Sequence, residues 1–109
     1  MSYEITATPR FRRDIKALIK KYTSLKAEYA LLIEDLQQNP QIGTALGNNC
    51  YKIRIPIASK NKGKSGGARV ITHIVIENKT VFLLTIYDKS EKDNISNKEL
   101  TELLGQLSD

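Results

Sequence analysis

Four cations carry the chemistry that this sequence could do. Lys52 and Arg54 stand two apart in "YKIRIPI", Arg69 follows Gly66-Gly67 and Ala68, and Lys89 comes directly after "TVFLLTIYD". Between Tyr51 and Arg69 there are six Lys or Arg (Lys52, Arg54, Lys60, Lys62, Lys64, Arg69) and no Asp or Glu. Such a set suits a phosphodiester. A guanidinium fork meets phosphate with two bonds and stays protonated, and an ammonium adds a point charge. Lys60, Lys62, Lys64 and Ser65 extend the set through a glycine-bearing loop, and Tyr87 and Lys92 extend it past the last apolar run. Together they outline a groove that tracks a nucleic-acid backbone, with Tyr87 the aromatic for stacking on a base or ribose.

A competing reading of the loop is excluded by its flanks. "ASKNKGKSGG", Ala58 to Gly67, fits a relaxed phosphate-loop spacing, Ala58-x-x-x-x-Gly63-Lys64-Ser65. That loop works only where a strand leads in and a helix leads out, so that backbone N–H groups wrap the phosphate. Here the β-branched, alternating "RVITHIVI" follows, which is a strand. The loop joins two strands of a hairpin, and its glycines let the backbone turn sharply and approach a ligand closely.

Other reactive side chains have plain roles. His73 shares parity with Arg69 but lies four residues on, roughly 13 Å at strand rise, and is read as a strand histidine rather than a general base. The single Cys50 excludes an internal disulfide and a cysteine zinc cluster, and is read as a small buried residue. With one His and no suggestive carboxylate cluster, no metal or cofactor is expected. Ser65 shapes the loop or holds a phosphate, since no base partner is visible for it as a nucleophile.

Elements must position these groups. "YEITA" alternates as a short strand; Thr8 caps a helix with Pro9 at its first position. Phe11, Ile15, Leu18, Ile19 and Tyr22 recur at helical spacing, with Arg10, Arg12, Arg13, Lys16, Lys20 and Lys21 on the other face. After Thr23-Ser24 a second helix buries Leu25, Tyr29, Leu32, Ile33 and Leu36 and ends at Asn39-Pro40. "QIGTALGNN" is predicted to be a turn-rich connection. Three alternating segments follow, "YKIRIPI", "ARVITHIVIE" and "TVFLLTIYD", the last apolar on both faces as an interior strand is. Ser96-x-x-Glu99 is a capping box opening a helix with Leu100, Leu103, Leu104 and Leu107. The predicted order is β-α-α-β-β-β-α, an α+β fold with a small, mostly antiparallel sheet on a helical hairpin. Alternation places Lys52, Arg54 and Arg69 on the sheet face away from that hairpin.

The chain of 109 residues is expected to be one domain, 1–109. Its net charge of +5 and pI near 9.4 are unevenly placed, which suggests a polyanion at one surface. No apolar run approaches the roughly 18 to 20 residues that cross a membrane, and "MSYEITATPRF" has no apolar signal segment. A cytoplasmic protein is expected.

"CYKIRIPI", "GKSGGARVITHIVI" and "VFLLTIYDKSEKDNIS" before an amphipathic helix resemble the RelE/ParE superfamily of type II toxins, in particular its RelE/HigB branch. The resemblance covers the chain in order and its last sixty residues carry the motifs. It implies a fold similar to small microbial ribonucleases. The implied activity is ribosome-dependent endoribonuclease action, an mRNA interferase cutting translated mRNA in the A site and so inhibiting translation. It implies a cognate antitoxin, in the HigB branch often a helix-turn-helix, HigA-like protein through which the complex binds operator DNA. Carried over by position, Lys52, Arg54, Arg69 and Lys89 are the catalytic set, and Lys60, Lys62, Lys64, Ser65, Tyr87 and Lys92 the RNA contacts. Ile95 stands about where some relatives have a base-stacking tyrosine.

The implied reaction needs no metal: the ribose 2′-hydroxyl attacks the adjacent phosphate and expels the next 5′-oxygen. Arg69 suits the developing charge, and Lys52 or Lys89, crowded by cations, could serve as base or acid. Two alternatives remain open at this point. One is a ParE-like poison of DNA gyrase; the other is a catalytically inactive relative that binds only RNA or its antitoxin.

Overall fold

Thr8 decides where the first strand stops and the first helix starts. Its backbone is extended, its hydroxyl accepts from the Phe11 N–H (3.2 Å) and donates to the Leu83 carbonyl (2.9 Å), and Pro9 holds the first helical position. One side chain thus caps the helix and pins the chain to a strand 75 residues away.

The computed structural model describes residues 2–60 and 66–107. Its elements are β1 (Glu4–Ala7), α1 (Pro9–Lys21), α2 (Leu25–Gln38), β2 (Thr44–Gly47), β3 (Cys50–Ile55), β4 (Ala68–Val75), β5 (Thr80–Asp88) and α3 (Asn97–Gly105), with a 3₁₀ turn at Ala58–Lys60. The five strands lie in the order β1-β5-β4-β3-β2. β1 runs parallel to β5 and every other neighbour is antiparallel.

The sequence expectation of a three-strand meander is corrected by β2, which lies in the stretch predicted to be a connection. Asn48 and Asn49 have φ of 55° and 59°, the left-handed pair that a two-residue hairpin turn requires. Gly47 then pairs with Cys50. α2 ends at Asn39 as expected, and both arms of the Ser96–Glu99 capping box are made.

The sheet is covered on both faces. Phe11, Ile15, Leu25, Leu32 and Leu36 of α1 and α2 pack on Ile53, Ile55, Val70, Ile74, Val81, Leu83 and Ile86. On the other face Leu100 and Leu103 of α3 cover Cys50, Ile71 and Leu84. Each of the Val, Leu, Ile and Phe side chains among these contributes about 1.5–3 kcal/mol by leaving water. Consequently α3 covers part of the face that carries the cations. Gly67 explains one of the paired glycines: a Cβ there would meet the Ile55 carbonyl oxygen at 2.1 Å. Its close approach is to the neighbouring strand.

Asp88 closes the end of β5. Its side chain has 0 % exposure and Lys60 has 5 %, and they pair at 2.6 Å. Asp88 also accepts from the Tyr22 hydroxyl (2.7 Å) and from the Ser90 N–H and hydroxyl (2.9 and 2.7 Å). Lys60 further donates to the Gly66 carbonyl at 2.6 Å. Lys60, expected from the sequence to contact RNA, has its ammonium engaged inside the fold, where it joins the 3₁₀ turn to β5 beside Tyr22 of α1. Burial alone would raise the Asp88 carboxyl, but the hydrogen bonds from Lys60, Tyr22 and Ser90 outweigh it. They hold the group well below the usual carboxylate range.

Breaking this pair from one side leaves a buried charge. Lys60→Met is expected to cost about 3–5 kcal/mol in urea unfolding, and the double variant with Asp88→Leu to recover much of that loss. The folded-state value of Asp88 lies below its unfolded value of about 3.9. Its contribution is complete above that pH and is lost as pH falls toward the folded value. The stability gap between the wild type and Asp88→Asn should be level from about pH 7 to 5 and narrow below about pH 4.

Candidate functional site

Register brings the site together. Arg54 of β3 lies opposite Arg69 of β4, and Arg69 opposite Tyr87 of β5, a row of three residues at the ~4.8 Å spacing of adjacent strands. Like charges placed directly opposite destabilise a strand pair, so the fold gains nothing from this arrangement. Arg69 is only 3 % exposed and donates to the Ala68 carbonyl at 3.1 Å. Among the described residues it has no carboxylate in ion-pair range. A buried guanidinium with no ion-pair partner is costly, and the arrangement is one that an anion would complete.

The segment after β5 brings further charges into the field of that arginine. Lys89 pairs with Asp93, Lys92 with Glu99, Lys52 donates to the Asn94 side chain at 3.3 Å, and Glu91 reaches Lys21 of α1 at 3.2 Å. The Lys92 ammonium also lies 5.5 Å from the Tyr87 ring centre. Asp93 reports the field at this point. Its carboxyl is held below the ordinary range by the Lys89 hydrogen bond and charge, with Lys52 and Arg69 adding to it. Three of the four expected catalytic cations thus act on one exposed carboxylate.

Arg54 differs. It is exposed and borders a groove of about 210 Å³ against Glu28, Leu31 and Asp35 of α2. It sits at the open edge of β3, in register with Arg69 but outside the set that acts on Asp93. Tyr87 is half buried, its hydroxyl is enclosed, and among the described residues it has no hydrogen-bond partner. Burial pushes this phenol up, Arg69 nearby pulls it down, and Glu99 and Asp93 push it up again. Lys62, Lys64 and Ser65 lie outside the described residues.

His73 and Cys50 are neighbours across β3 and β4, with Nδ1 and Sγ 3.5 Å apart. Burial pushes the thiol up to about 11, which leaves it protonated and unreactive at neutral pH. Among the described residues no three His, Cys, Asp or Glu form a group that could hold a metal ion. Asp88 is the residue that sequence reasoning missed. Its only signal is a lone acid ending an apolar strand, just before Lys89.

This fold, a mixed sheet with a helix pair on one face and a C-terminal helix on the other, is the RelE-like α+β fold. The free RelE toxin of E. coli, in an arginine-substituted form, matches with a TM-score of 0.64 at 17 % identity, covering 98 % of this chain and 99 % of that one. The toxin–antitoxin complex RelBE from E. coli matches at 0.60 and 19 % identity, covering 80 % and 96 %. The RelBE2 toxin–antitoxin complex of Mycobacterium tuberculosis matches at 0.59 and 20 %, covering 81 % and 99 %. A family model described as the RelE toxin of the RelE/RelB toxin–antitoxin system matches residues 11–107. The chain belongs to that family. No helix among its described residues is long and apolar enough to cross a membrane.

The environment of Cys50 has a direct chemical readout. At pH 7 its alkylation by iodoacetamide should be slower than that of an unperturbed thiol by on the order of a hundredfold, and should reach the ordinary rate in urea.

Proposed function

We propose that this toxin is a ribosome-dependent mRNA endoribonuclease. The observation that carries the reading is Arg69: a guanidinium buried at 3 % exposure with no ion-pair partner among the described residues, in register between Arg54 and Tyr87. In this reading the scissile phosphate takes the place at which Asp93 now feels Lys89, Lys52 and Arg69. The 2′-oxygen of the upstream ribose attacks phosphorus, the bond to the 5′-oxygen of the next nucleotide breaks, and a proton passes to that leaving oxygen. A 2′,3′-cyclic phosphate and a 5′-hydroxyl result, without a metal ion. The Arg69 fork meets the non-bridging oxygens as charge builds on them, a preorganised arrangement of the kind that stabilises such transition states. Lys52 and Lys89 flank the same oxygens, and the enclosed Tyr87 hydroxyl gains a partner in the phosphate.

The supporting electrostatics also explain a need for the ribosome. The one carboxylate within this set is held acidic, hence weakly basic, so little of the barrier is removed by proton abstraction. Orientation of the mRNA in the A site would supply the rest. In the same reading the protein acts in the cytoplasm and is neutralised by a HigA-like, helix-turn-helix antitoxin that covers the cationic row and carries the complex to operator DNA.

The test is cleavage of end-labelled mRNA on programmed 70S ribosomes, with naked mRNA and a chelator as controls. Wild type should cut in the A site. Arg69→Ala should lose on the order of 100- to 1,000-fold in rate, and Arg69→Lys, which keeps the charge without the fork, should recover only part. Arg54→Ala, at the open edge, should lose less than Arg69→Ala. Intact mRNA with a folded wild-type chain overturns the reading and brings gyrase poisoning and plain RNA binding forward.

A further inference from the structure

β1 pairs with Thr80 to Leu83 of β5, so among the described residues the remaining half of β5 has no strand on its outer side. α1 runs alongside that half, and between them lies a cavity of about 490 Å³, a size that holds small ligands. Its wall includes Arg13, Asp14, Ala17 and Leu18 of α1, with Tyr87 and Lys92 from the site side. Tyr87, the cross-strand partner of Arg69, therefore belongs both to the Arg54–Arg69–Tyr87 row and to the lining of this cavity.

The cavity is amphipathic in a particular way. Ala17 and Leu18 give it an apolar wall, and Tyr87 an aromatic one. Asp14 accepts from the Thr85 hydroxyl at 2.6 Å and from Arg10 Nε at 3.4 Å, both on Oδ2. Among the described residues its other oxygen, Oδ1, has only Arg13 Nε at 3.9 Å, beyond hydrogen-bond range. An oriented carboxylate with a spare acceptor, beside flat apolar walls, matches a heteroaromatic ring that presents N–H donors at its edge. Arg13, whose side chain is 75 % exposed, can lay its guanidinium plane on such a ring.

We propose that the cavity between α1 and the unpaired half of β5 is a nucleobase subsite. It takes an amino-bearing base next to the phosphate held at Arg69, with Asp14 reading the amino edge. The assignment rests on the nuclease reading above for its phosphate, and it adds the groups that choose which base is held there. Asp14, Ala17 and Arg13 become specificity determinants on a helix outside the cationic set.

The experiment is an amide-resolved NMR titration of the full chain with three probes: inorganic phosphate, the four nucleoside 3′-monophosphates, and the four free nucleosides. Phosphate alone should move the amides of Arg69 and Lys89. The guanosine, adenosine and cytidine nucleotides should in addition move Ala17 and Leu18 and bind at least about tenfold tighter than phosphate, since stacking on a ring is worth that much; uridine should gain less. Ala17→Phe, or Ala17→Met where the larger ring impairs folding, should abolish the gain while phosphate binding stays. Asp14→Asn should remove the preference over uridine. Nucleotides that bind no tighter than phosphate, or an Ala17 variant that binds them as wild type does, overturn the subsite. Phosphate that leaves Arg69 and Lys89 unmoved overturns the nuclease site instead, and the free nucleosides at Ala17 then decide the cavity by themselves.

Discussion

The buried pair between Asp88 and Lys60 is the constraint on which the site depends. It sits where four pieces of chain meet: the end of α1 through Tyr22, the 3₁₀ turn through Lys60, the start of β4 through the Gly66 carbonyl, and the end of β5. Water is excluded there, so each partner is fixed by the cost of leaving the other uncompensated. Asp88 lies between Tyr87 and Lys89 in sequence. Fixing its carboxylate on the helix side of the sheet sends Tyr87 to the opposite face, and its bonds to Ser90 start the turn that carries Lys89, Lys92 and Asp93. Here the charge pair is a device for geometry.

The cationic set is arranged the other way. Arg54 and Arg69 oppose each other across two strands, the Tyr87 hydroxyl is enclosed without a partner among the described residues, and Asp93 is the carboxylate drawn to the group. The first two of these cost folding free energy, while Asp93 offsets part of the charge. α3 bears on the same economy. By covering Ile71 and Leu84 it removes the apolar part of this face from water and leaves the charged part as the surface on offer.

Much of the fold is legible in the sequence because local rules fix it. Thr8-Pro9 starts a helix, Asn39-Pro40 stops one, Ser96 and Glu99 cap another, alternation identifies β3 and β4, and a run apolar on both faces identifies β5. β2 escapes because it is four residues long and mostly exposed, so it carries no apolar alternation. Its turn uses Asn-Asn in place of the stronger Asn-Gly signal. Of the site, the residues that share a strand face can be read from parity alone. What parity cannot give is burial. Lys60 sits in a run of loop lysines and reads as exposed, and only the fold brings Asp88, 28 positions away, to meet it. Nor does sequence separate Arg54 at the sheet edge from Arg69 in its interior.

The account makes the arginine-centred set a place where a 2′-oxygen attacks phosphorus. The most direct measurement is the chemistry of the cut ends, determined by mass spectrometry on mRNA recovered from programmed ribosomes with the toxin. The account requires a 2′,3′-cyclic phosphate, or the 3′-phosphate formed from it, on the upstream fragment and a 5′-hydroxyl on the downstream one. A 3′-hydroxyl with a 5′-phosphate would mean that water or an activated hydroxide is the nucleophile, and would contradict it.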